Sequence, residues 1–124
     1  MSPATMLRAG ALLAALAVAA GAFAAHGLAT RLDPGALKIF QTAVHYQMIH
    51  AIALLFTGLL ARDDTSGRGH IAGWLFLAGI LLFCGSLYAL ALTGIGWLGA
   101  ITPLGGVAFI AGWLWLAFTL RLPR

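Results

Sequence analysis

Between Gln41 and His50 the chain sets Gln41, His45, Tyr46, Gln47 and His50 within ten residues, and His26 stands upstream of them. Imidazole nitrogens, a phenol and two carboxamides can hold a polar ligand, a quinone, a lipid headgroup or an axially ligated haem. They can equally hydrogen-bond the neighbouring backbone and do no chemistry. At about 100° per residue Gln41 and His45 share one helix face, while Tyr46 and His50 share another with Gln47 close by. His45 and His50 are then about 140° apart, so one helix cannot close both on a single ion, for which i, i+4 spacing is wanted. No metal site and no resident cofactor are expected. Under the packing reading, His26 and His45 bond backbone or headgroups near a span end and fix how the first two helices meet. Under the binding reading, a polar pocket between those helices takes a small ligand, lipid or quinone, or a haem held by His26 facing His45 or His50.

Other reactive residues lack partners. The interiors of the apolar stretches contain no Asp, Glu, Lys or Arg, so the carboxylate relay of proton-coupled carriers is missing. There is no HExxH, no GxSxG and no glycine loop leading to a phosphate-binding lysine. Cys84 is the only cysteine, which excludes an intrachain disulfide and a CxxC pair. Ser86 has no acid in sight. Asp63, Asp64, Thr65 and Ser66 read as a solvated turn with at most weak cation affinity. His70, beside Arg68, reads as solvated as well. No catalytic residue is expected.

The elements that carry these residues follow from composition. Of 124 residues, 62% are hydrophobic and only 8% charged, and mean hydropathy is +1.00. A soluble domain carries about a quarter charged residues, and a small fold has too much surface to cover otherwise. Disulfide scaffolds, disordered tails and collagen-like repeats are excluded on the same grounds. The net charge of +4 comes from Arg8, Arg31, Lys38, Arg62, Arg68, Arg121 and Arg124 outnumbering three acids. These basic residues sit singly at the ends of apolar runs, which points to helix anchoring and away from nucleic acid.

Charge-free stretches cover residues 9–30, 39–61 and 71–120. A bilayer core of about 30 Å takes about 20 helical residues, so the last stretch must fold back once. The glycine-rich residues 94–99, ahead of Thr102-Pro103, give the hairpin. The spans read as residues 7–27, 41–60, 73–92 and 102–120. The expected fold is an all-α integral membrane protein, an antiparallel up-down bundle of four transmembrane helices forming one domain over residues 1–124. Ser2-Pro3, Asp33-Pro34 and Thr102-Pro103 each place a capping side chain before a proline at a helix start. A helix begun at Pro34 and run to Ala61 is about 42 Å long, so its first turns lie in the headgroup layer or tilt, and Lys38 snorkels there.

Trp74, Trp97, Trp113 and Trp115 read as an aromatic belt. Gly10, Ala14, Ala17 and Gly21 make a small-residue seam, as do Gly69 with Gly73, and Gly105, Ala108 and Gly112. Such faces suit a homo-oligomer or a membrane-protein partner. Arg8, Arg62, Arg68, Arg121 and Arg124 share one side against Arg31 and Lys38 on the other, which places both termini in the cytoplasm. Arg8, an apolar run and Ala22-Phe23-Ala24 imitate a cleaved signal, but the run is long for a signal core and reads as the first span.

The segment Gly21-Ala22-Phe23-Ala24-Ala25-His26-Gly27-Leu28 resembles the GAFGAHGL signature of the YgdD family, small inner-membrane proteins related to eukaryotic transmembrane protein 256. Further matches are Phe40-Gln41-Thr42-Ala43-Val44-His45-Tyr46-Gln47-Met48-Ile49-His50-Ala51, Gly85-Ser86-Leu87-Tyr88 and Ile101-Thr102-Pro103-Leu104-Gly105-Gly106. The resemblance runs in order over nearly the whole chain. Ala24 replaces the glycine of that signature, and looser packing is expected at that turn. The resemblance implies a multi-span protein of the bacterial cytoplasmic membrane, in a family grouped as a domain of unknown function. The expected function is a non-enzymatic accessory or assembly component acting by helix packing in the lipid bilayer. The alternatives are a ligand-binding module using His26, Gln41, His45, Tyr46, Gln47 and His50, and an oligomeric channel or carrier.

Overall fold

Ser2 and Asp33 start the first two helices as their chemistry dictates. Ser2 Oγ accepts from the Thr5 N–H at 3.1 Å, and Asp33 Oδ1 from the Ala36 N–H at 2.9 Å. Each satisfies a donor that a first turn leaves without an intrahelical partner. The computed structural model describes residues 1–119; Leu120, Arg121 and Arg124 lie outside the described residues.

Helix α1, Pro3–Phe23, runs on into one π-helical turn, Ala24–Leu28, and α2 covers Pro34–Leu60. Helix α3, Arg68–Gly79, a second π turn, Ile80–Cys84, and α4, Gly85–Thr93, form one rod of 26 residues. A 3₁₀ turn, Gly96–Ala100, leads into α5, Thr102–Thr119. Four helical stretches of 24 to 27 residues are thus long and apolar enough to cross a bilayer, and no strand occurs among the described residues. At 27 residues α2 is about 40 Å long, which exceeds the hydrocarbon thickness.

The hairpin at residues 94–99 has more structure than glycine content suggests. Gly94, at φ 72°, closes α4 in the left-handed conformation that a side chain resists, and its N–H bonds Leu90 O at 2.8 Å. Thr102 does not act through its hydroxyl as a simple cap. Its Oγ1 pairs with Ser86 Oγ at 2.7 Å and so ties α5 to α4, while the buried Ser86 hydroxyl also donates to Phe83 O at 3.0 Å. Ala24 corrects the expectation of loose packing: it is 1% exposed and packs with Leu28, Phe40 and Ala91.

Helix α2 is central. It packs against α1 on one side and against α3, the second π turn and α4 on another, while α5 lies on α3 and that turn. The close approaches run in opposite directions along α1 and α2, Gly21 to Val44 and Gly10 to Ala51 and Leu55, so these two helices are antiparallel. A Cβ on Gly10 would sit 2.9 Å from both Ala51 O and Leu55 N. Lipid tails are as apolar as leucine, so close backbone packing and interhelical hydrogen bonds must supply what the hydrophobic effect supplies in water. All three expected glycine seams face neighbouring helices of the same chain: Gly21 meets Val44, Gly69 meets Ala61, Gly73 meets Met6, and Gly112 meets Phe76. Leu12, Leu16, Ile52, Phe56, Val107 and Ile110 are exposed, and in a membrane they face lipid.

The connection between α2 and α3 is tied down. Asp64 Oδ1 accepts from Ser66 N at 2.9 Å and also from Ser66 Oγ, and Oδ2 accepts from Gly69 N at 3.0 Å. His70, expected to be solvated, instead has its Nδ1 on the Met1 carbonyl and is half-buried. The Ser66 hydroxyl and the Ser66 and Gly69 amides hold the Asp64 carboxyl down to about 2. The folded value is depressed, so the charged form helps the turn above the ordinary value of 3.8 and that help is lost as pH falls through about 2. The Ser66 and Gly69 amide resonances should therefore titrate with a midpoint of about 2, hold steady at neutral pH, and lose that titration in Asp64→Ala.

Candidate functional site

The polar residues of α2 do not form one cluster. A helix turns about 100° per residue, so ten consecutive positions spread over all its faces. Gln47 and His50 are 6% and 4% exposed, whereas His26, Gln41 and His45 are exposed, and Tyr46 lies between at 38%. His26 sits in the π turn two positions from the buried Ala24, on the outward side of the first rod. The structure therefore does not bring His26 to His45 or His50. Among the described residues no group of three or more His, Cys, Asp or Glu side chains could hold a metal ion.

Gln47 joins three helices. Its Nε2 donates to the Leu13 carbonyl of α1 at 2.8 Å, and its Oε1 accepts from Tyr88 Oη of α4 at 2.7 Å. The Tyr88 ring stands edge-on to Phe40, with centroids 4.9 Å apart. The carboxamide is thereby oriented: its nitrogen faces an acceptor and its oxygen faces a donor.

His50 lies on a different face of α2 and is held at both ring nitrogens. Nδ1 donates to the Tyr46 carbonyl at 2.7 Å, and Nε2 accepts from the indole N–H of Trp113 on α5 at 3.1 Å. A carbonyl can only accept and an indole N–H can only donate, so these bonds specify the neutral tautomer with its proton on Nδ1. Phe109 stacks on the imidazole at 3.5 Å between centroids and 12° between planes, and Phe76 lies at 5.9 Å. Tyr46 closes the group from the rim, 4.5 Å from Phe83 and 6.0 Å from His50. A ring whose two nitrogens are both engaged has no lone pair for iron, and a quinone carbonyl would have to displace Tyr46 O from Nδ1.

Thr57, fully buried, bonds back to Ala53 O at 2.7 Å. No buried side-chain nitrogen or oxygen among the described residues lacks a hydrogen-bond partner. That closure matters more in hydrocarbon than in water, because no solvent can supply a missing partner.

Sequence reasoning did not identify Trp113, Tyr88 or Phe109 as partners. Trp113 reads as a belt residue from its place near a span end, yet its N–H points at His50. The usable signal was the need of a buried imidazole for two partners, which two tryptophans on α5 were placed to meet. Trp115, the other, donates instead to Arg68 O at 3.0 Å.

Four spanning helices with an internally satisfied polar interior define a small multi-pass membrane protein. Residues 20–106 match the model of a family described as "Protein of unknown function (DUF423)", and the chain belongs to that family. It is 53% identical over 107 residues to the UPF0382 membrane protein YwdK of Bacillus subtilis (strain 168), covering 85% of this chain and 86% of the relative. It is 49% identical over 107 residues to a UPF0382 membrane protein of Staphylococcus haemolyticus, covering 86% of this chain and 87% of that protein. A UPF0382 membrane protein of Staphylococcus epidermidis is 52% identical over 105 residues, with 85% of each chain covered. No solved structure matches the chain. The family carries no indicated enzymatic activity, in keeping with the membrane protein of unknown function that the sequence led to.

Proposed function

We propose that this chain is a non-enzymatic accessory or assembly component of the bacterial cytoplasmic membrane that acts through helix packing, with both termini on the cytoplasmic side. The observation that carries this reading is the closure of the polar interior: Gln47, His50 and Thr57 each bond within the bundle. Gln47 and His50 so engaged fasten α2 to its neighbours, Thr57 bonds back within α2, and none of the three is poised for turnover. The relatives are bacterial and are named membrane proteins. Arg8, Arg62 and Arg68 mark the end shared by the N-terminus and the connection between α2 and α3, against Arg31 and Lys38 at the other end. That bias supports the orientation.

The partner face under this reading is the outer side of α1. Helix α1 packs chiefly on α2, and its Ala11, Ala15, Ala19 and Ala22 are exposed, a row of small side chains that lets another helix approach closely. The exposed row of α5 carries Leu104, Val107, Ile110 and Leu114 instead. Cys84 is buried, so a thiol introduced at the surface reacts by itself. Ala15→Cys treated with a thiol cross-linker in intact membranes should give one discrete adduct, and Leu114→Cys should give none. Equal smears from both positions, or no adduct at Ala15→Cys, would count against the reading. So would a catalytic turnover abolished by His50→Gln in a folded protein.

A further inference from the structure

A cleft of about 490 Å³ opens where the link after α1, the start of α2 and the end of α4 meet. Its polar lining is Arg31 and Asp33, and Leu32, Ile39, Leu90 and Ala91 form apolar walls. The volume is within the range of about 300–1,000 Å³ usual for small-molecule sites. Helices α2 and α4 both end here, at Pro34 and Thr93, and Trp97 is exposed just beyond. That puts the cleft at the level where hydrocarbon gives way to headgroups.

We propose that this cleft binds the headgroup of one membrane phospholipid, a phosphodiester beside Arg31 and a primary ammonium beside Asp33, with the glycerol and first acyl carbons against Leu32, Ile39, Leu90 and Ala91. Guanidinium is the side chain best matched to a phosphate, since its planar donors pair with two oxygens at once. Asp33 sets the rest of the specificity. Its Oδ1 accepts the Ala36 N–H at 2.9 Å, while Oδ2 takes no hydrogen bond among the described residues and remains an acceptor. A carboxylate beside the phosphate site repels a net-anionic headgroup and attracts one that carries its own cation. A quaternary ammonium has no N–H to offer that carboxylate and is recognised by aromatic cages, and among the described residues no aromatic ring lines this cleft. The headgroup chemistry that fits is therefore phosphoethanolamine.

The full-length protein, purified in mild detergent, is titrated with phosphatidylethanolamine, phosphatidylglycerol and phosphatidylcholine of identical acyl chains, and retained lipid is counted by native mass spectrometry. One phosphatidylethanolamine should be held about tenfold more tightly than either competitor, the scale of one or two charge-assisted hydrogen bonds. Asp33→Asn keeps a capping oxygen for α2 and removes the charge, so it should abolish the preference over phosphatidylglycerol with the fold intact. Arg31→Gln should weaken all three lipids about equally. Lys38→Gln, a nearby cation that does not line the cleft, should change nothing. Water-soluble phosphoethanolamine at equal concentration should fail to displace the lipid, because it lacks the part that meets the apolar walls. Equal retention of the three lipids by the unaltered protein overturns the proposal, as does a Lys38→Gln effect matching Arg31→Gln. Displacement by the soluble headgroup on equal terms overturns the membrane lipid in favour of a free phosphoester.

Discussion

Gly105→Ala is expected to destabilise the bundle by about 3 kcal/mol or more, the upper end of what overpacking costs, and to leave little folded protein after purification. A Cβ at Gly105 would lie 2.3 Å from Phe83 N and 2.6 Å from Phe83 Cβ. Both are backbone or backbone-proximal atoms, so no rotamer change relieves the clash and α5 must move off the second π turn. The neighbouring residue gives an internal control. At Gly106 an added Cβ would meet only Phe83 ring carbons, at 3.9 Å, which is ordinary contact. Gly106→Ala should therefore be nearly neutral and slightly favourable through helix propensity. Thermal unfolding of the two variants in the same detergent separates them. Equal melting temperatures would show that α5 does not pack on Phe83 as described.

His50→Ala is expected to cost about 2–4 kcal/mol, dominated by the void left between Phe76 and Phe109. The two hydrogen bonds add less, since such bonds inside membranes average about 0.6 kcal/mol. The loss should exceed that of Trp113→Phe, which removes one donor but keeps an aromatic ring at a position 43% exposed. Because Trp113 Nε1 and His50 Nε2 are 3.1 Å apart, the double variant should lose less than the sum of the single losses. Strict additivity in reversible unfolding would mean that the pair does not interact.

Much of the fold is legible in the chain because lipid imposes a coarse rule. Three runs without formal charge, bounded by single basic residues, with the last folded back at the hairpin of residues 94–99, mark four crossings, and the Ser2-Pro3 and Asp33-Pro34 pairs cap the first two helices in the structure. The interior is harder to read. In water an apolar stripe tells the buried face from the wet one; in lipid both faces are apolar, so leucines such as Leu16 outside and Leu54 inside look alike in sequence. Helical phase groups Gln41 with His45 and Tyr46 with His50 but does not say which pair turns inward; in the structure Gln41 and His45 are exposed, His50 is buried and Tyr46 is 38% exposed. The two π turns carry no mark in composition. Each adds a residue to a turn, and the second lies where Gly105 lets α5 reach the Phe83 backbone. Partners distant in sequence, Gln47 with Tyr88 and His50 with Trp113, are set by helix rotation that no local pattern encodes.

Nitrogen-15 resonances of the His50 side chain, recorded in lipid nanodiscs on histidine-labelled protein, bear most directly on whether α2 devotes its buried polarity to holding helices together. A neutral ring protonated on Nδ1 is expected, with an Nε2 resonance that shifts when Trp113 becomes phenylalanine and is unmoved by added haem or quinone. A ring protonated on Nε2, or one that ignores Trp113→Phe and responds to either added molecule, would contradict that expectation.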